Sequence, residues 1–249
     1  MRLGLVSAHP IESMLPEAVL RPVGGHHAFE SCVAQLGTAI RLGVYPAGTL
    51  LPSERELAER LSVSRATLRE AIAALRASQL VETRRGRGGG TVVCRQPTRR
   101  RASAKAASKG RHDELLDSLR FRKVVEPGAA AAAAGRDLDD TTRALLELCL
   151  RAVSSAAQRR EHRQCDSRLH LAIATASGSP LLIDAVSRVQ ADLDEMLNAI
   201  PVLPKNIAHS TAQHDAIVAA ILDGDERKAA RVMREHCEDT EALLHGLLG

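Results

Sequence analysis

The chain has 249 residues, enough for one large or two modest domains, and 34 Lys+Arg against 30 Asp+Glu give a formal net charge of +4. With no Trp, one Tyr (Tyr45) and two Phe (Phe29, Phe121), the core must be built from Leu, Ile, Val and Ala, which disfavours a sheet-rich fold. The small net charge hides an asymmetry: residues 1–111 carry +10 and residues 112–249 carry −6, so the first part suits a polyanion and the second does not.

In chain order, residues 1–27 hold three prolines and no sustained period, which predicts a flexible N-terminal extension whose His26-His27 is exposed tail. From Ala28 to Leu42 apolar residues recur at Phe29, Val33, Leu36 and Ile40, a helical stripe closed by Gly43, Pro46 and Gly48. Ser53 with Glu56 three residues on is a capping box, opening a short helix that ends near Leu61. Ser64 caps a third helix running to about Ser78, with Ala71, Ile72 and Leu75 facing inward. Leu80 to Arg85 and Thr91 to Cys94 read as strands around the turn Gly86-Arg87-Gly88-Gly89-Gly90. Residues 28–95 thus form a winged helix-turn-helix. Residues 96–112, rich in Pro, Ser, Ala and Arg/Lys with no apolar stripe, read as a linker.

Residues 113–249 read as helix after helix: Asp113 to Ala134, with a bend or break expected at Pro127, then about Asp139–Gln158, Arg160–Ser177, Pro180–Ala199, Ile207–Leu222 and Glu226–Leu248. The expected fold is mainly α, with an N-terminal winged helix-turn-helix and a C-terminal antiparallel bundle of six to seven helices. Five scattered cysteines without a C-x-x-C pair fit reduced thiols in a cytoplasmic protein, and no apolar run approaches a membrane span.

Two helices joined by a tight turn, with a basic ribbon behind them, fit the major groove of DNA and the groove beside it. The N-terminus of the second helix presents unpaired N–H groups and the side chains of Ser64, Arg65 and Thr67, with Arg69 one turn on. Arg65 suits a bidentate guanine contact, while Ser64 and Thr67 suit phosphate. Arg55 approaches the backbone or groove, and Arg85, Gly86 and Arg87 of the ribbon suit a narrow minor groove.

The stretches Gly48-Thr49-Leu50-Leu51-Pro52-Ser53-Glu54-Arg55-Glu56-Leu57-Ala58, Val63-Ser64-Arg65-Ala66-Thr67-Leu68-Arg69-Glu70-Ala71 and Gly86-Arg87-Gly88-Gly89-Gly90-Thr91 closely resemble the winged helix-turn-helix of GntR-family bacterial transcription regulators. The resemblance implies DNA contacts at Arg55, Ser64, Arg65, Thr67, Arg69 and the wing around Arg85-Gly86. It departs at Ser78-Gln79, where family members often carry Glu-Gly.

In the second half, Asp166 and His170 lie four residues apart on one helical face, His214 sits mid-helix, and His236 lies in the last helix. Such a set is able to ligate a divalent first-row metal, though spacing alone suits surface or hydrogen-bonded roles as well. Asp166-x-x-x-His170, His214-x-x-Ile217-Val218-x-Ala220-Ile221 and Ala229-Ala230-x-x-Met233-x-x-His236 resemble the helical, FCD-type effector domain of the FadR-like branch. That resemblance implies a divalent metal (Zn, Ni or Mn) on Asp166, His170, His214 and His236, itself holding a small carboxylate. In Leu119-Arg120-x-x-x-Val124-Val125-Glu126 it implies Arg120 as an effector-facing residue.

His162, His209 and His245 lie off the pattern and read as surface residues. The reading is a homodimeric regulator, most simply a repressor and not an enzyme, on double-stranded, palindromic operator DNA. Two alternatives stay open: a metal-free sensor of a lipid effector (fatty acid or acyl-CoA), and a metal-dependent hydrolase with a DNA-binding appendage. No H-E-x-x-H and no carboxylate at a suitable spacing supports the latter.

Overall fold

A computed structural model describes residues 10–23, 28–86, 89–94, 109–156, 159–199 and 204–248. Ten helices and one two-stranded hairpin make up the described residues. The first unit comprises α2 (Ala28–Arg41), α3 (Glu54–Leu61), α4 (Arg65–Ala77), β1 (Val81–Arg84) and β2 (Gly90–Val93). Local chemistry sets its boundaries. Ser53 accepts from the Glu56 N–H while Glu56 reaches back to the Ser53 N–H, closing the box that starts α3. Ser64 caps α4 by accepting from the Thr67 N–H at 3.0 Å. Leu36 and Ile40 of α2, Leu57 and Leu61 of α3, and Leu68, Ile72 and Leu75 of α4 meet in one core. The strands pair antiparallel from Val81↔Val93 to Arg84↔Gly90, and the segment before α3 adds a bridge from Leu50 to Val92.

At Gln79, where the resemblance implies a Gly, the chain still turns with φ +58°. The side chain therefore sits in the left-handed region, and the Leu80 N–H still bonds back to the Leu75 carbonyl.

Six helices form the second unit: α5 (Lys109–Ala134), α6 (Asp140–Ser155), α7 (Arg159–Ala176), α8 (Pro180–Ala199), α9 (Pro204–Leu222) and α10 (Glu226–Leu248). Helix α5 runs through the middle, against α7, α8, α9 and α10. Its Ala129, Ala130, Ala133 and Ala134 are buried, and their small side chains let neighbouring helices approach. Of the bend or break expected at Pro127, there is no break: α5 is one continuous helix. Proline removes the N–H that the Lys123 carbonyl would otherwise receive, and Arg234 of α10 replaces it, donating from Nη1 at 3.3 Å. At the end of α9, Gly224 adopts φ +75° and the Asp225 N–H reaches the Ala220 carbonyl, a Schellman closure.

The largest departure from the sequence reading lies in the N-terminal extension. Residues 10–19 are not irregular: they form α1 (Pro10–Val19), which buries Leu15 and Val19, with Leu20 just beyond. The helix packs on α6, α7 and α8 as well as on α2. The segment after it ties both units together. The Arg21 side chain pairs with Asp184 of α8 at 3.0 Å, its backbone N–H donates to Gln35 of α2, and the Val23 N–H donates to the Leu61 carbonyl. Ile11, Met14, Leu15, Ala18 and Val19 follow the three-and-four spacing of a helical stripe, a signal that Pro10 and Pro16 obscure, since Pro16 argues against a helix through this segment. Most of the expected linker, residues 96–112, lies outside the described residues, and the last part of it belongs to α5.

Two substitutions test this description. Leu15→Ala is expected to cost about 2–4 kcal/mol in denaturant unfolding, as truncation at a buried leucine does. A surface-like cost of a few tenths would mean that α1 does not dock. Gln79→Gly is expected to stabilise the protein by about 1 kcal/mol by relieving the left-handed residue.

Candidate metal and nucleic-acid sites

Four helices converge on one buried cluster. Helix α7 supplies Asp166 and His170 from successive turns, α9 supplies His214, α10 supplies His236, and α5 contributes Arg122 and Glu126. The three imidazoles are almost wholly buried and each offers a ring nitrogen within 4.8 Å of the others. Their ring centroids lie 4.7 Å (His214–His236), 5.2 Å (His170–His236) and 5.5 Å (His170–His214) apart. Asp166 joins from the side of His214, with Oδ1 3.4 Å from His214 Nε2. Of the sequence-predicted set, the structure brings His170, His214 and His236 together, with Asp166 beside His214.

The chemistry of the cluster fits a cation. Among the described residues, both ring nitrogens of His214 and both of His170 are buried without an aligned hydrogen bond, a costly arrangement unless something else engages them. Burial pushes the His214 pKa down to about 4 against an opposing pull from Asp166, and burial with the neighbouring His214 holds His236 well below the usual histidine range. These two rings are therefore neutral, the form that coordinates a metal. Two ligands about 2.1 Å from an ion at the tetrahedral angle stand ~3.4 Å apart, so the Asp166–His214 spacing is that of co-ligands.

Beneath the histidines lies a buried ionic layer. Arg122 Nε donates to Glu126 Oε2 at 2.9 Å, Gln190 Nε2 of α8 donates to Oε1 at 2.6 Å, and the Cys237 thiol donates to Oε2 at 3.5 Å. His170 Nδ1 is 3.0 Å from the same Oε2, an ion-pair distance without good hydrogen-bond alignment. Burial alone would raise the Glu126 carboxyl, but the Arg122 charge and His170 more than offset it and hold the group well below the carboxylate range. Burial pushes the Cys237 thiol far up, in keeping with its role as donor to Glu126.

One sequence-predicted residue is misplaced. Arg120 is exposed on α5, away from the cluster, whereas Arg122 is 1% exposed and has an Nη1 with no partner. Helical phase decides between them: Leu119, Arg122, Glu126, Ala129 and Ala133 follow the three-and-four spacing of the buried face, and Arg120 falls outside it. The signal was present as an Arg–Glu pair four residues apart on the apolar stripe. Of the three histidines read as surface residues, His209 and His245 are exposed, but His162 is half-buried with an unpartnered Nε2.

In the other unit, Ser64 and Thr67 stand at the N-terminus of α4, their hydroxyls 2.8 Å apart, with Arg65 exposed beside them. Arg69 is held by Glu54 at 2.7 Å and Arg55 by Glu59 at 3.6 Å, both on the surface. Arg85 and Gly86 are exposed beyond β1, while Arg87 lies outside the described residues. All the described candidates therefore present to solvent around one helix N-terminus and one hairpin. None of the described helices is long and apolar enough to cross a membrane.

Comparison with known proteins finds a family match in each half of the chain. Residues 30–93 match the signature of bacterial regulatory proteins, gntR family, and residues 114–239 match the FCD domain. The chain is 32% identical over 221 residues to an HTH-type transcriptional regulator, RmpR, of Mycobacterium gastri, across 83% of this chain and 76% of that one. It is 32% identical over 198 residues to an L-lactate dehydrogenase operon regulatory protein of Escherichia coli K12, across 76% of each. Among solved structures, E. coli McbR/YncC superposes with a TM-score of 0.53 at 19% identity, covering 89% of this chain and 99% of that one, a likeness of fold.

The shifted groups give the cluster a pH signature. Between pH 6.5 and about 4, an unfolded His214 binds a proton that the folded ring refuses, so stability falls as pH drops through that window. Below 4.5 the depressed Glu126 acts with the same sign, because only the unfolded carboxyl takes up a proton. The thermal midpoint of chelator-treated protein is expected to fall continuously from pH 6.5 towards 4. A flat profile over that range would contradict the neutral, buried imidazoles.

Proposed function

The chain belongs to the bacterial regulatory proteins of the gntR family, with an FCD domain behind the DNA-binding one, and on that premise we propose that it is a repressor released by a small carboxylate bound at a metal. Members of this family bind DNA and small-molecule effectors, and its relatives are transcription regulators rather than enzymes, which retires the hydrolase alternative.

The observation that carries the metal reading is the trio of buried imidazoles, two of them with unpartnered nitrogens, beside a carboxylate. His170, His214 and His236 would hold a divalent ion such as Zn, Ni or Mn, with Asp166 as fourth ligand. The ion would supply a Lewis-acidic point for a carboxylate oxygen. Arg122, not Arg120, is the protein's own anion partner there, since its Nη1 is buried and unpaired while Nε is already spent on Glu126. A relative named as the regulator of an L-lactate dehydrogenase operon fits a carboxylate effector of this size.

The DNA reading assigns Arg65 to a base edge and Ser64, Thr67, Arg55, Arg69, Arg85, Gly86 and Arg87 to phosphate or groove contacts. Two copies would pair so that their winged units meet the half-sites of a palindrome. Effector binding shifts the protein between DNA-competent and incompetent arrangements only by its differential affinity for the two.

Two measurements test this. Elemental analysis of tag-free protein is expected to find about one metal per chain, lost in the Asp166→Ala/His214→Ala variant. Metal-free protein under replete conditions would send the effector search to fatty acids and acyl-CoA. Arg65→Ala is expected to weaken operator binding by ~1–3 kcal/mol and to relax sequence preference. Unchanged operator affinity would remove α4 from the groove.

A further inference from the structure

His236 is the only ring of the trio with an aligned hydrogen bond among the described residues: its Nδ1 lies 3.1 Å from Gln213 Oε1. Gln213 is itself held. Its Nε2 lies 2.7 Å from Asp239 Oδ2, which also takes His209 Nε2 at 2.9 Å. We propose that Gln213 is a positioning residue that fixes His236 as the Nδ1–H tautomer and so turns an unprotonated Nε2 to the metal centre, with Asp239 fixing which way Gln213 points.

The argument is one of donor and acceptor inventory. An ionised Asp239 only accepts, so the Gln213 atom facing it must be the amide nitrogen. The two ends of a glutamine amide look alike and are told apart by such partners. With the nitrogen committed to Asp239, the carbonyl end faces His236, and a carbonyl only accepts. His236 Nδ1 therefore carries the hydrogen, and the lone pair of a neutral ring is on Nε2. A flipped glutamine would leave its oxygen against the Asp239 carboxylate, acceptor facing acceptor, so the contact to Asp239 decides the orientation. Neither other imidazole is fixed this way: His170 has only the misaligned Glu126, and His214 has no hydrogen-bond partner.

The chain His209, Asp239, Gln213, His236 spans α9 and α10 alternately, from a half-exposed carboxylate to a buried ring. It thus also fixes the relative rotation of the two helices that bring His214 and His236 together. Outer partners of this kind orient a ligand and raise its basicity, and their loss typically costs about 10–100-fold in metal affinity.

The inference rests on the metal reading, and its test separates the two. Full-length protein labelled with 15N-histidine, stripped of metal, is examined by NMR for the His236 tautomer, and zinc affinity is measured by competition with a chelator. In the unsubstituted protein the Nδ1–H tautomer is expected. Gln213→Leu is expected to lose that preference and to weaken zinc about 10–100-fold, with its fold checked by thermal unfolding. The double variant Gln213→Glu/Asp239→Asn reverses donor and acceptor at the outer contact but keeps an acceptor against Nδ1, and is expected to restore both readouts. An Nε2–H tautomer in the unsubstituted protein overturns the proposal, as does zinc affinity unchanged by Gln213→Leu. If no zinc binds at all while Nδ1–H is present and lost in Gln213→Leu, the positioning role stands and the metal reading fails.

Discussion

The contact between Arg122 and Glu126 holds this structure's sensing half in order. Both side chains are 1% exposed, and one turn of α5 places them together in the middle of the bundle. An isolated ion there would cost several kcal/mol in lost hydration, so neither is tolerable without the other. Satisfied, the carboxylate becomes an assembly point. It accepts from Arg122, from Gln190 on α8 and from Cys237 on α10, and it faces His170 on α7. Four helices are indexed to one acidic group, and the histidines above it inherit their places from that indexing. The small residues that follow on α5 let the partner helices come close enough for the arrangement to close.

Such a centre is poised rather than relaxed. The cluster has more donors and lone pairs than mutual contacts satisfy, including Arg122 Nη1, Gln190 Oε1 and the nitrogens of His214. Groups of this kind are expensive in a low dielectric and respond strongly to whatever engages them. A ligand engaging these groups would draw its binding free energy from the region where α5, α7, α9 and α10 meet. The DNA-facing unit shows a milder version. Arg69 and Arg55 are occupied by Glu54 and Glu59 on the free protein's surface. Exposed pairs like these are weak, and phosphate competes with them readily.

Much of this was legible in the sequence where short-range chemistry decides. Ser53 with Glu56 and Ser64 with Thr67 announce their helix starts because the capping atoms lie within three residues. The four-residue step from Asp166 to His170 likewise implies a shared face. Legibility failed where a distant partner decides. Pro127 reads as a break until Arg234, more than a hundred residues away, takes up the freed carbonyl. Arg120 and Arg122 are neighbours of the same chemistry, separated only by helical phase and by Glu126. The Gln213–His236 contact was out of reach for the same reason, since it joins side chains of two helices. Helix α1 is a different case: its stripe of Ile11, Met14, Leu15, Ala18 and Val19 stands in the sequence, but Pro16 inside it argued for irregular chain.

Helix α1 also bears on how far a chemical event can be transmitted. Two bodies joined by chain alone explore many relative orientations, and a ligand that rearranges one body leaves the other nearly indifferent. Here the docked helix, the Arg21–Asp184 pair and the Gln164 amide bonded to the Arg41 carbonyl remove that freedom. On the proposed function, the stiffness of this coupling would set how much of a displacement at the histidines reaches α2. Substitutions on the packed face of α1 therefore change how firmly the two units are joined while leaving Ser64, Arg65 and the histidine cluster themselves unaltered.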